Sequence, residues 1–459
     1  MERFIINELI KWNSKKKRKP LVIYGARQIG KTYLIKNLFA KKYYSNNYIY
    51  IDFKKDDDVR EFVCGDGKST NGTSDAKKII EFLSLRENKN IDKSTLLIFD
   101  EVQEALPILT ALKYFKQEFE DIPVIALGSM VRIKIKREQH IANQHKKDGH
   151  FFPVGAVLEL NMYPVTFDEF LFNYNEQLYN KISSAYKNKV ALEQSTHQLA
   201  MDALYKFLLI GGMPENVQMF LDGHSLVDIR ENLISLFNNY LNDMELYQAR
   251  TESIVRAKQI FKSIYSQLNK ESKNFKASLI QKDLKNRDLI TPLDWLCTAS
   301  VVYKSLQVKE KVTIPLMSNE ESNYRLYLMD TGFLSYQSDI NMATFIDKNS
   351  QNELSGIFFE NYVACELVAK NFPLFYWKGK TSAEFEFVIS FNNKIIPIDV
   401  KKGKGTLNSL SKYKAHNSCQ RVIKVSSNNF GIDEAQGIMT IPLYMFFMFL
   451  NEIKEMQQI

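Results

Sequence analysis

The sequence is poor in the residues that staple small secreted or metal-bound folds. Only four cysteines occur in 459 residues, Cys64, Cys297, Cys365 and Cys419. They stand far apart with no paired metal-ligand spacing, which excludes a disulfide framework and a zinc knuckle and points to reduced thiols in a cytoplasmic protein. Of six histidines, three recur as His140, His145 and His150. A five-residue interval does not place them on one helical face and no cysteine accompanies them, so an exposed loop is the better reading than a metal site. No stretch reaches the roughly 18 to 20 apolar residues of a membrane span; the nearest, Ile441 to Leu450, fits a buried terminal element. Met1 to Ile10 is an amphipathic helix carrying acids and lacks the apolar core of a secretion signal.

What is present is an ordinary globular composition, 45% hydrophobic and 25% charged, in a chain long enough for about three domains. The net charge of +8 is unevenly spread. Between Lys378 and Lys424 ten Lys or Arg face only Glu384, Glu386 and Asp399. Such a stretch attracts phosphate backbone if it forms one face, or is a solvated lysine surface. The run Lys15 to Lys19 before Pro20 reads as a linker into the first strand.

The most informative stretch is Gly25-Ala26-Arg27-Gln28-Ile29-Gly30-Lys31-Thr32, which has Walker A spacing. Two glycines let the chain turn so that successive backbone N–H groups converge on an anion, and the following helix adds its dipole. Lys31 is expected to reach the β- and γ-phosphates of ATP and Thr32 to hold Mg²⁺. The context fits: Leu21 to Tyr24 reads as a buried strand, and Tyr33 to Phe39 places apolar residues at helical spacing. Tyr48 to Phe53 is a second strand. The third, Thr95 to Glu101, is a continuous apolar run ending in two acids, as a parallel strand buried on both faces should be at its functional end. Its acids read as Walker B, Asp100 for Mg²⁺ and Glu101 to polarise the attacking water. A fourth strand, Val124 to Ser129, ends at a hydroxyl suited to sensing the γ-phosphate.

Together these residues resemble a family, the prokaryotic AAA-type P-loop ATPases that carry a C-terminal domain of uncharacterised function. The resemblance rests on Gly25 to Thr32, Leu96 to Gln103, Gly128-Ser129, Phe152 to Gly155, Leu160 to Leu171, Gly211 to Glu215, Tyr327 to Gly332 and Gly356 to Asn361. It implies an ATPase core, a helical lid, a winged-helix-like segment and a C-terminal module resembling restriction-endonuclease folds. Met130 stands where the family usually has a second serine. Spacing selects no arginine finger among Arg132, Arg137, Arg250 and Arg256.

Residues 176 to 250 show helical periodicity broken at Gly211-Gly212-Met213-Pro214, a lid or hinge. From 254 to 335 the pattern predicts three helices, about 254–268, 276–287 and 292–303, then a wing formed by Ser305 to Val308 and Tyr324 to Met329. The third helix carries no Lys or Arg before Lys304, which favours packing or protein contact over base readout.

Near the C-terminus, Glu384 to Phe391, the turn Asn392-Asn393 and Lys394 to Lys401 read as a β-hairpin. A two-residue turn sets Phe391 opposite Lys394, hence Glu386 opposite Asp399 and Glu384 opposite Lys401. Opposed carboxylates repel unless a cation lies between them, so a second divalent cation is expected there. Asp399 and Lys401 share a face, and acid followed by acid-x-Lys is the constellation of a PD-(D/E)XK nuclease-like site, in which the metal activates water and the lysine supports the developing charge. Glu360 resembles the helix acid sometimes added to such sites. Acid-x-Lys also occurs at Glu87, Glu271, Asp283 and Glu452, so the triplet alone is unspecific, and Glu386 stands where Asp is usual.

The expected fold is α/β multi-domain: an AAA-type P-loop parallel-sheet core (1–172), a helical lid (173–250), a winged-helix-like segment (251–335) and a restriction-endonuclease-like α/β domain (336–459). The expected function is an ATPase coupling Mg-ATP to a nuclease-like module that processes DNA or RNA. The alternative is a switch whose inactive module binds a protein or nucleic acid. An oligomer is compatible with either reading, and no membrane partner is expected.

Overall fold

The computed structural model describes residues 1–66, 72–129, 131–135, 155–247, 251–319, 323–340, 355–380, 383–401, 408–417, 419 and 421–457. His140, His145, His150, Met130, Phe152 to Val154, Arg137, Arg250, Lys402 and Lys404 lie outside them. Packing divides the chain into two compact units, Glu2–Tyr163 and Pro164–Ile459 (with Met1).

The first unit is built on five parallel strands, β1 (Leu21–Tyr24), β2 (Tyr48–Asp52), β3 (Leu96–Asp100), β4 (Val124–Gly128) and β5 (Leu158–Asn161), in the order β2-β3-β4-β1-β5. The uninterrupted apolar runs of β1, β3 and β4 are explained by their positions: each is interior and buried along its whole length, whereas β5 at the edge is half exposed. All strands run the same way, so the segments following β1, β3 and β4 emerge together at one edge. A helix over Tyr33–Ala40, wound wide and continued by Lys41–Tyr44, follows β1 directly.

The second unit begins with the helices Phe167–Tyr174, Glu176–Lys187, Gln194–Ile210, Pro214–Leu221, Leu226–Tyr247 and Thr251–Leu268. The break at Gly211-Gly212 is pinned rather than free. Gly212 N donates to Asp330 Oδ2 at 2.5 Å, and its carbonyl accepts from Val165 N at 2.7 Å. A Cβ on Gly211 would stand 2.2 Å from Asp330 Oδ1. Asp330 also caps the helix Thr331–Ser338 by accepting from Gly332 N and Phe333 N. Three separated sequence signposts thus meet at one buried carboxylate, whose pKa burial pushes up to about 6.

The helix expected over 276–287 is corrected here. After the helix Thr251–Leu268, residues 276–287 form only short 3₁₀ turns, and the third helix is Ile290–Thr298, ending where Ser300 takes φ +59°. The two wing strands, β6 (Val302–Gln307) and β7 (Tyr324–Leu328), pair antiparallel, but β6 also pairs parallel with β8 (Phe375–Lys378), which pairs with β9 (Glu384–Phe385). β7 is buried at every position, Arg325 included, so the pair belongs to a sheet core and not to an exposed wing.

A third sheet holds β10 (Phe387–Phe391), β11 (Lys394–Lys401), β12 (Val422–Ser426), β13 (Gly431–Asp433) and β14 (Ile438–Pro442), in the order β10-β11-β12-β14-β13. The hairpin register is as expected, Phe391 opposite Lys394 and Phe387 opposite Ile398. Asn392 and Asn393 take φ +45° and +56°, the left-handed pair a tight hairpin turn requires. The buried terminal element is the helix Phe446–Gln457 with the turn Leu443–Met445 before it. Among the described residues no helix is long and apolar enough to cross a membrane.

Candidate nucleotide site and C-terminal acid cluster

The octapeptide leaves β1 as a loop whose backbone depends on its two glycines. Gly25 takes φ +150° and Gly30 φ +85°, and a Cβ on Gly25 would lie 2.3 Å from the carbonyl oxygen of Met162. Gln28 adopts φ +60° without being glycine, a strained residue of the kind that collects at working sites. Lys31 is buried, its ammonium donating to the carbonyls of Gly25 (3.0 Å) and Ala26 (2.7 Å). Burial lowers its pKa to about 8, against the pull of Glu101 and Asp100. The carbonyl of Ile29 accepts from Arg3, which also donates to Tyr163 O at 2.8 Å and so braces the loop from behind.

Thr32 Oγ1 donates to Asp100 Oδ2 at 2.6 Å, joining the ends of the Walker A and Walker B segments although β4 separates their strands. The same oxygen accepts from Tyr50 OH at 3.0 Å, and Oδ1 accepts from Glu101 N at 2.8 Å. Burial raises the Asp100 pKa, while these donors oppose the shift. Glu101 sits at φ +54°. Its Oε2 pairs with Lys54 at 2.6 Å and accepts from Gln103 Nε2. Ser129 carries a buried hydroxyl with no hydrogen-bond partner among the described residues. Arg132 pairs with Glu159 at 3.0 Å and lies over the Tyr24 ring, while Arg256 bonds Gln259 and Gln281.

Spacing did not reveal Arg3, Tyr50, Lys54 or Gln103. Tyr50 and Lys54 had a readable signal, since they lie at the end of a parallel strand beside β3. Arg3 had none.

In the second unit the structure gathers Glu386, Asp399, Lys401 and Glu360, but not as drawn from the hairpin. The chain bends at Glu386, so β9 leaves the hairpin and pairs with β8. Glu384 is therefore opposite Lys378, not Lys401, and ion-pairs with Arg325 at 2.7 Å. Glu386 reaches back across the bend: its Oε2 accepts from Val400 N at 2.9 Å, and Oε1 from Lys401 at 3.3 Å. Lys401 also stands 3.1 Å from Asp399 Oδ1, out of line for a directed hydrogen bond. Glu360, on the helix Ser355–Ala369, pairs with Lys273.

The expected second cation has no ligand set: among the described residues no three His, Cys, Asp or Glu are placed to hold a metal ion. Lysine and arginine supply the counter-charge instead. Burial, then the neighbouring Glu386, raise the Asp399 pKa to about 7, and burial raises that of Glu360. Burial pulls Lys401 down, but Glu386 and Asp399 outweigh it and its pKa rises. Part of the basic stretch is thus spent inside the fold: Lys401 is paired there and Lys424 is buried.

Residues 17–171 match the model of an AAA domain. Residues 201–344 match a domain of unknown function (DUF8612) and 355–446 a second one (DUF4143). Among solved structures the chain is similar to a Walker-type ATPase of Pyrococcus abyssi, at 14% identity and a TM-score of 0.41, over 72% of this chain and 94% of that one. No curated protein matches the chain.

Proposed function

This chain carries an AAA domain over residues 17–171, followed by two domains of unknown function, and on that premise we propose that it binds ATP with Mg²⁺ at Gly25 to Thr32 and hydrolyses it. The observation that carries this is the 2.6 Å bond from Thr32 to the buried Asp100, which brings a hydroxyl and a carboxylate oxygen together beside the glycine loop. Those two groups would hold Mg²⁺, which when bound neutralises charge on the phosphates. The backbone from Ala26 through Gly30 cradles the phosphate oxygens, and Lys31 supplies the cation. Glu101 orients the attacking water and accepts its proton, and the Ser129 hydroxyl reads the γ-phosphate.

The second unit is read as a binding module under ATP control, with a protein or nucleic acid as partner. In its acid cluster Glu360, Glu384 and Glu386 are already ion-paired with Lys273, Arg325 and Lys401. One observation favours the other reading, a metal-dependent nuclease: Glu386, Asp399 and Lys401 do converge, within 3.1 to 3.3 Å of the lysine ammonium.

ATPase and nuclease assays on one preparation, with and without DNA or RNA, separate these. Lys31→Ala should abolish ATP binding and hydrolysis, and wild-type behaviour of that variant would refute the nucleotide site. No cleavage is expected with Mg²⁺ or Mn²⁺. Cleavage that Asp399→Ala removes while ATPase activity persists would establish the nuclease.

A further inference from the structure

The third sheet has two working faces. Along β11, Asp399 and Lys401 point to one side and Ile396 to the other; along β12, Lys424 and Ile423 divide in the same way. The side away from the acid cluster is where the helix Phe446–Gln457 packs. There a cavity of about 540 Å³ opens between the sheet and that helix. This lies within the range that encloses small-molecule ligands. Its floor is apolar: Ile396, Ile423, Met439, Phe449 and Ile453.

The charges at the cavity wall are unbalanced. Lys189, Lys394 and Arg421 line it against one acid, Glu452. Glu452 is committed twice, pairing with Lys189 at 3.0 Å and accepting from Tyr186 OH. Arg421 pairs with Glu434 at 3.0 Å, but both side chains are well exposed, so the pair is weak and the guanidinium can be re-aimed. The Lys394 ammonium has neither an ion-pair nor a hydrogen-bond partner among the described residues. The rigid Asn392-Asn393 turn fixes its backbone at the wall.

We propose that this cavity binds a small anionic amphiphile, an aliphatic or aromatic body with one carboxylate or phosphate group. The apolar body lies between the sheet and the helix, and the anionic head meets Lys394 and Arg421. Apolar area supplies the affinity, and Lys394 with the weakly paired Arg421 selects an anion over a neutral molecule of the same length.

Calorimetric titration of the full chain with decanoate and with decanol tests this. Decanoate should saturate one site per chain. Lys394→Glu, at the exposed first position of β11, should weaken decanoate about tenfold, one charge-assisted contact, and leave decanol essentially unchanged, with the melting temperature checking the fold. Met456→Trp, which adds bulk at the exposed rim, should weaken both ligands, with the melting temperature checking the fold. Failure of the wild type to bind either ligand saturably overturns the proposal. So does equal loss of both ligands in Lys394→Glu, or sedimentation showing a dimer of the wild type that Met456→Trp breaks.

Discussion

Two pairs of acids lie at or beside strand ends in this molecule, Asp100 with Glu101 and Asp399 with Glu386, and the partners of their buried aspartates differ in kind. Asp100 at the end of β3 is held by neutral donors: the hydroxyls of Thr32 and Tyr50 and the amide of Glu101. Asp399 and Glu386 are held by Lys401, with Lys273 and Arg325 on the acids around them. A neutral donor orients a carboxylate without cancelling its charge, so the charge stays available to a cation. An ammonium orients it and cancels it. Both sites hold a buried aspartate on a strand, yet the charge of Asp100 is left uncancelled by its donors while that of Asp399 is countered by an ammonium.

The sharpest break in this comparison is functional. Asp100→Asn keeps the shape and removes the charge, and should lower the proposed ATPase rate by about 10²- to 10³-fold, as loss of one preorganised electrostatic group does. Asp399→Asn should leave that rate unchanged. Steady-state hydrolysis by the two variants decides it, and a large ATPase loss in Asp399→Asn would show that the second cluster is wired to the first.

Stability should rank the sites the other way. Lys401→Met strands two buried carboxylates and should cost about 3 kcal/mol. Lys54→Met removes a pair in which both side chains are a quarter to a third exposed, and should cost under about 1 kcal/mol. Urea unfolding reads both, and pH sharpens the contrast. With its pKa raised to about 7, native Asp399 binds a proton that the unfolded chain has already released. The stability that Asp399 contributes should therefore fall as pH rises from about 4 to about 7, beside the like-signed losses from Asp330 and Glu366. Asp399→Asn should flatten that slope.

Much of the first unit was legible because a parallel strand buried on both faces writes itself as an apolar run, as Leu96 to Phe99 does, and because the Gly25 to Thr32 loop has few other uses. The terminal hairpin register was legible from Asn392-Asn393. What was not legible is where a strand changes sheets. Alternation continues through Glu384, Phe385 and Glu386, and nothing in it marks the bend that sends Glu384 to Arg325, 59 residues away in sequence. Residues 276–287 were misread for a related reason. Their apolar spacing suits a helix, but Phe275 N is tied to Tyr324 O, far along the chain, and Lys276 N to the Gln267 side chain, bonds that draw the start of the segment out of a helix. Local pattern reports which side chains are apolar; it does not report which distant carbonyl captures a backbone group.

The finest test concerns the neutral donors themselves. Tyr50 is held by Lys36, whose ammonium lies 4.0 Å from the centre of its ring, and its hydroxyl shares Asp100 Oδ2 with Thr32. Tyr50→Phe keeps the ring and its cation contact and removes only the hydroxyl, so the variant isolates one hydrogen bond. That bond opposes the burial that favours the protonated form of Asp100. Losing it should raise the Mg²⁺ concentration for half-maximal hydrolysis about fivefold, the value of one neutral hydrogen bond, with kcat at saturating Mg²⁺ unchanged. If the melting temperature falls while the Mg²⁺ requirement stays put, Tyr50 only packs. Neutral donors would then hold Asp100 in place without tuning it for a cation, and the contrast between the two acid pairs would rest on Lys401 alone.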